Sequence, residues 1–154
     1  MSILGTKVLR TEDPRFLTTG GVYTDDLRLP GACHVQFARS AVAHARIRSV
    51  DVSAALAEPG VIAAFTAADL DLPELPPPMA GMINAKMSQP LLARDVARYV
   101  GEPVAVVVTD GRYQGEDAAD LVDVDYDPLP AVVDMTEADR PSSAVLFPAA
   151  GSSS

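Results

Sequence analysis

Residues 32–39 read Ala-Cys-His-Val-Gln-Phe-Ala-Arg, with Cys33, Val35 and Phe37 at every second position. That period of two predicts a half-buried strand, with its apolar set on one face and Ala32, His34, Gln36 and Ala38 on the other. Residues 46–52 alternate more cleanly, Ile47, Val50 and Val52 against Arg48, Ser49 and Asp51, and predict a second strand with one wet face. Ser53 then opens a short Ala/Leu turn stopped by Pro59-Gly60, which predicts a helix of one or two turns with Ser53 as its N-cap. Residues 61–65 predict a short buried strand, and Thr66 is placed to cap a short helix over 67–70. Val104 to Thr109 is a continuous β-branched run of the kind a central strand needs. Residues 112–122 follow as a helix with Ala118, Leu121 and Val122 on one face. Residues 122–126 return as an alternating strand, ended by Pro128 and Pro130. Strand, helix and strand within about 25 residues make a βαβ-like unit, or at least a helix laid across a sheet.

Between these elements the chain is punctuated. Residues 1–31 are rich in turn-formers, with Thr19-Gly20-Gly21 and Leu29-Pro30-Gly31, and only a short extended piece is expected near Val22 and Tyr23. Residues 71–90 hold five prolines and three methionines and predict a long irregular loop, because proline removes backbone donors and forbids helix. Residues 101–103, Gly-Glu-Pro, predict a turn. The stretch from Asp139 to Ser154 is rich in Pro, Ser and Ala and reads as a linker-like tail. The resulting class is α+β, a mixed sheet with short helices, in one domain over 1–138 followed by the tail 139–154.

Composition narrows the function classes. Among 154 residues, 12 are basic and 21 acidic, a net charge of −9. Phosphate contacts need clustered Lys and Arg, so nucleic acid and anionic membrane surfaces are not expected partners. Cys33 is the single cysteine, which excludes a disulfide framework and an iron–sulfur cluster held by this chain alone. His34 and His44 are too few to predict a dedicated zinc site. No apolar run approaches a membrane span, and residues 1–15 carry no apolar signal region, so a cytoplasmic setting is the expectation.

The candidate chemistry is sparse. No G-x-S-x-G, no phosphate-cradling G-x-x-x-x-G-K-[ST] and no G-x-G-x-x-G is present. Cys33 and His34 are adjacent, so in a strand they point to opposite faces and cannot form a dyad with each other. Cys33, on the apolar face, is expected to be a buried structural thiol. His44 is expected to hydrogen-bond a backbone group. Asp25 and Asp26 are expected to cap backbone N–H groups rather than hold a cation. Glu116, Asp117, Asp120, Asp123, Asp125 and Asp127 lack the spacing of a calcium loop and read as a solvated face. No catalytic, cofactor-binding or metal-binding residue is predicted.

Four blocks in order resemble one family. Residues 10–26, RTEDPRFLTTGGVYTDD, resemble the opening of the molybdenum-binding large subunit in the xanthine dehydrogenase/aldehyde oxidase family, which includes the aerobic carbon monoxide dehydrogenases. Residues 30–70 are similar to its next block, an R-S-P-x-A-H-A segment followed by a P-G-V turn. Residues 99–108, YVGEPVAVVV, and 118–134, AADLVDVDYDPLPAVVD, match two further blocks. The resemblance implies an N-terminal α/β-hammerhead domain. The chain departs from the family pattern at Thr19, where a glycine is usual, at Ala41, where proline is usual, and at Gly115, where alanine is common. By resemblance, the cofactor contacts and the catalytic glutamate of the family lie in later domains, so no catalytic residue carries over.

The resemblance implies that this chain is a structural domain or split subunit of a molybdenum-cofactor hydroxylase, inactive alone. Its implied partners are the remaining molybdopterin-binding part of the large subunit, with iron–sulfur and FAD subunits, and the molybdopterin cofactor is expected on the partner chain. The alternative is a free-standing binding module, or a truncated relic, that keeps the fold without the activity. A hammerhead separated from its partner should expose a contiguous apolar patch beyond roughly 600 Å². Loop 71–90 and the tail are the segments expected to face the partner.

Overall fold

The computed structural model describes residues 4–5, 10–76 and 81–151. Contacts divide the chain into Met1–Ala32 and Cys33–Ser154. In the first unit a short helix, α1 (Asp13–Thr18), stands where only turns are expected. Pro14 in its first turn supplies a pre-set φ, and Asp13 lies at its positive end, which is enough to start a helix that hydrophobic spacing does not announce. Tyr23 is extended, as expected, and Asp26 closes the turn after it by accepting from the Tyr23 N–H at 2.9 Å.

The described residues of the second unit contain six strands, β1 (His34–Arg39), β2 (Ala45–Asp51), β3 (Val61–Thr66), β4 (Val96–Ala97), β5 (Pro103–Thr109) and β6 (Asp123–Pro128). Among the described residues they form two three-stranded sheets, ordered β1-β5-β3 and β4-β2-β6, and every ladder is antiparallel. The α+β class with short helices is as expected. β5 and β6 fall in different sheets, so no βαβ unit forms. The intervening helix α3 (Arg112–Asp120) instead lies across the first sheet, against β1 and β5.

β5 is the central strand its continuous apolar run requires, with Val104, Ala105, Val107 and Thr109 buried. Gly115 lets α3 approach closely: a Cβ there would stand 3.1 Å from Thr109 Oγ1 and 3.2 Å from Gln36 Cβ. The helix buries Gly115, Ala118 and Ala119, while Leu121 lies beyond its end and is exposed. A second short helix, α2 (Ser53–Leu56), packs on β3. Val52, not Ser53, is its N-cap, and the capping carboxylate is Asp51, whose Oδ1 accepts from Ser53 N–H at 2.8 Å. Thr66 does cap, accepting from Ala68 N–H at 3.2 Å, but the chain beyond it is a turn rather than a helix. A last short helix, α4 (Met135–Ala138), is capped by Asp134.

The core is built from small side chains. Ala38, Ala93, Val104 and Ala105 pack with Ile47, Val50 and Val124 of the second sheet. Ala55, Val107, Ala118 and Ala119 pack with Val61 and Ala64 under the helices. Within 71–90, Leu75 and Gln89 exchange backbone hydrogen bonds at 2.9 and 3.3 Å and close the excursion at its base. Residues 77–80 of that loop lie outside the described ones. A single 3-10 turn, Ala85–Met87, is capped by the Asn84 side chain.

Candidate functional site

The largest fully buried side chain among the described residues is a carboxylate, Glu102, which is 2% exposed. The turn that carries it is tied to the end of β1. Gly101 N–H donates to the Ser40 carbonyl and Ser40 N–H to the Glu102 carbonyl, each at 2.8 Å. Arg39 Nη1 donates to the Gly101 carbonyl at 2.8 Å. Gly101 sits at φ +92°, a conformation that costs other residues and lets this turn close. Ser40, also 2% exposed, donates its hydroxyl proton to the Val42 carbonyl at 2.9 Å. Pro103 then accepts from Ala93 N–H at 2.8 Å, so the turn also anchors the segment that leads to β4.

Glu102 Oε2 accepts from the Arg98 backbone N–H at 2.5 Å, while Oε1 has no hydrogen-bond partner among the described residues. Burial pushes the Glu102 carboxyl up from its ordinary value; the Arg98 N–H, the Arg98 charge and the Tyr99 N–H offset part of that. The Arg98 side chain reaches the other way. Its Nε donates to the Leu146 carbonyl at 3.1 Å, Nη1 donates to the Val96 carbonyl at 3.3 Å, and the guanidinium lies 5.2 Å from the centre of the Phe147 ring. Leu146 and Phe147, in the stretch read as linker-like, are thus held in place. Next to this knot a groove of about 810 Å³ is lined mainly by Leu75, Ile83, Met87, Leu91, Tyr99 and Phe147.

The sequence-predicted candidates are scattered. His44 is buried, and its Nδ1–H donates to the Pro130 carbonyl at 2.7 Å, the backbone bond expected of it. Leu129 N–H donates to the His44 carbonyl at 2.9 Å, so His44 pins the exit of β6 to the entrance of β2. Cys33 is exposed rather than buried, and His34 beside it is exposed too. The expectation for Cys33 fails because the Val35 and Phe37 face of β1 is not the one that packs under α3; Val35 and Phe37 are 54% and 39% exposed. Asp26 caps the Tyr23 turn, whereas the Asp25 side chain lies outside the described ones. Of the acidic set, Asp127 pairs with Arg48 at 3.4 Å, and Glu116, Asp117, Asp120, Asp123 and Asp125 are exposed. Among the described residues no three of His, Cys, Asp and Glu gather as metal ligands would.

The knot around Glu102 escapes sequence reasoning except as a turn. One signal was available: a lone carboxylate between Gly and Pro at the mouth of a buried strand has only backbone N–H groups to satisfy it. The arrangement is suited to holding segments in place. Every buried polar side chain just described spends itself on backbone.

Among the described residues no helix is long and apolar enough to cross a membrane. Residues 18–130 match the family described as aldehyde oxidase and xanthine dehydrogenase, a/b hammerhead domain. The chain is 44% identical over 145 residues to the carbon monoxide dehydrogenase large chain of Afipia carboxidovorans, covering 93% of this chain and 17% of that one. It is 42% identical over 137 residues to the nicotine 6-hydroxylase large subunit of Paenarthrobacter nicotinovorans, covering 86% and 16%. The crystal structure of quinoline 2-oxidoreductase from Pseudomonas putida 86 superposes with a TM-score of 0.79 at 44% identity, over 92% of this chain and 18% of that one. The chain therefore spans about a sixth of the length of these relatives. With its two small sheets, short helices and ordered sequence blocks, it belongs to the aldehyde oxidase and xanthine dehydrogenase a/b hammerhead family.

Proposed function

We propose that this chain is the hammerhead part of the large subunit of a molybdenum-cofactor hydroxylase, on one polypeptide with the rest or as a split subunit. In this reading it completes the subunit's fold and does not perform the oxidation. The observation that carries the reading is the match itself: nearly the whole chain aligns in order with large subunits of which it spans 16–17%. Packing supports it. Among the described residues, the buried hydrophobics larger than Ala are Leu92, Val104 and Val107, while Val35, Phe37, Ile62, Leu75, Leu91 and Tyr99 are exposed. A chain with more large apolar side chains outside than inside is built to be covered.

The molybdopterin cofactor belongs, in this reading, to the partner polypeptide. Its phosphate needs convergent N–H or cationic donors. Here Ser40, His44 and Thr109 are committed to carbonyls, and Glu102 to a backbone N–H. The buried side-chain atoms without a partner among the described residues are Glu102 Oε1 and the Tyr126 hydroxyl. One carboxylate oxygen and one hydroxyl do not make an anion cradle, which supports placing the group on the partner polypeptide. Companion iron–sulfur and FAD subunits are part of the same proposal, in keeping with relatives named as a large chain and a large subunit. The groove beside Tyr99 and the loop around Leu75 and Met87 face the partner. Amide exchange there is expected to slow when the partner is present.

The test is affinity capture of the tagged chain from its native cells, with mass spectrometry and molybdenum analysis of the eluate. Recovery of a larger molybdenum-containing large-subunit polypeptide is expected. A metal-free chain recovered alone would favour a free-standing module and overturn the reading.

A further inference from the structure

We propose that the open face of the β1-β5-β3 sheet is the seat of the remaining large-subunit polypeptide, which lays an apolar surface over it. This rests on the reading of the chain as a large-subunit part. It goes further by naming the surface. Register identifies the face. Phe37 pairs with Val106 and Val106 with Phe65, while Val35 pairs with Val108 and Val108 with Ala63. Alternation places these six side chains together, opposite Gln36, Val107 and Ala64. The helices take the opposite side: Gly115 of α3 lies against Gln36 and Thr109, and Ala55 of α2 clusters with Val107 and Ala64. Both helices of this layer are therefore on one face, and the other is left with Val35 54% and Phe37 39% exposed.

The face has not been adapted to water. The chain carries 21 acidic residues, yet β1, β3 and β5 contain no Asp or Glu at all. The second sheet, by contrast, has Arg46, Arg48 and Asp51 on β2 and Asp123, Asp125 and Asp127 on β6. Beside this face the Arg39 guanidinium lies over the Phe37 ring at 5.6 Å.

Area decides between occupants. Strands of six, seven and six residues cover about 14 by 20 Å, or roughly 300 Å², half of the roughly 600 Å² expected of a separated hammerhead, so this face is one part of the covered surface. A stable interface needs about 800 Å² per partner, so two copies meeting through this face alone would hold no better than a lattice contact. An occupant that also grips other surfaces is required. A polypeptide about five times the length of this chain, as the relatives' coverage implies, supplies one.

The experiment uses the Afipia carboxidovorans large chain expressed without the stretch this chain matches, as a binding probe in sedimentation velocity. Val35→Lys and Phe37→Glu place a charge on the face, while Tyr113→Glu, at 79% exposed on α3, is the control. Circular dichroism checks that each variant folds. The wild type and Tyr113→Glu are expected to bind, and the two face variants to bind about tenfold more weakly or worse. Face variants that bind as wild type overturn the assignment of the face and leave the large-subunit reading standing. If the relative's own excised segment binds the probe and this chain does not, that reading falls and the proposal with it. If this chain alone dimerises and Phe37→Glu abolishes the dimer, the occupant is a second copy and the proposal is overturned.

Discussion

Replacing Glu102 separates its packing from its charge. Glu102→Ala removes the acceptor of the Arg98 N–H, which is held at 2.5 Å in a site 2% exposed. A buried donor left unsatisfied costs about 1–3 kcal/mol, and truncation of a side chain of this size adds a cavity. The charge works in the opposite sense. Burial holds the Glu102 carboxyl above its ordinary value of 4.5, so between the unfolded and folded values the folded state binds more protons. Stability from this group is therefore fully present below the unfolded value and is lost as the pH rises through the raised folded value. At neutral pH the ionised carboxylate is a cost that relieves part of the truncation penalty, leaving Glu102→Ala about 2–4 kcal/mol less stable. Glu102→Gln keeps the acceptor and the volume and removes the titration. Urea unfolding of the wild type and Glu102→Gln from about pH 4 to 8 reads the difference, because titrations common to both cancel. The difference is expected to move in favour of Gln as the pH rises. A flat difference, or one moving toward Glu, would refute the claim that desolvation dominates this site.

Three further substitutions test the architecture. Gly60→Ala meets a backbone at φ +87° and would place its Cβ 2.7 Å from Asp110 Oδ1; a loss of about 1–3 kcal/mol in thermal unfolding is expected. Gly115→Ala gains about 1 kcal/mol of helix propensity, but its Cβ meets Gln36 Cβ and a Thr109 hydroxyl fixed to the Gly111 carbonyl at 2.6 Å. Neither neighbour can give, so a net loss of about 1 kcal/mol is expected, and a gain would show that α3 lifts freely. Arg98→Ala removes the bond to Leu146 and the contact with Phe147; amide exchange over 146–151 is expected to quicken about fivefold while β5 is unchanged.

How much of this was legible depends on whether the determining interaction is local. The strand at β5 announces itself because a β-branched run is a property of the segment alone, whereas of the expected helix face Ala118, Leu121 and Val122 only Ala118 lies within α3, whose buried set is Gly115, Ala118 and Ala119. α1 was missed because it carries no buried residue and hence no apolar spacing; only Pro14 and Asp13 mark it. The partition into two sheets was not legible either. It depends on β2 finding β6 and β5 finding β1 and β3 across long stretches of chain, which alternation does not specify. Family resemblance was legible from ordered blocks, none of which contains a reactive set.

The misreading of β1 has a sharper cause. Alternation in 34–38 correctly placed Val35 and Phe37 on one face and Gln36 and Ala38 on the other. Assigning the apolar face to the interior added a premise that the sequence does not contain, namely that whatever covers an apolar face belongs to the same chain. In this protein the small residues go inside, because Gly115, Ala118 and Ala119 bring a helix close to Gln36 and Val107. On β1 the large ones, Val35 and Phe37, stay out. Periodicity reports which side chains share a face, whereas burial reports what lies over it, and the two agree only when a domain supplies its own cover. Val35 and Phe37 are the places where they part, and for that reason they are the residues on which the proposed docking face rests.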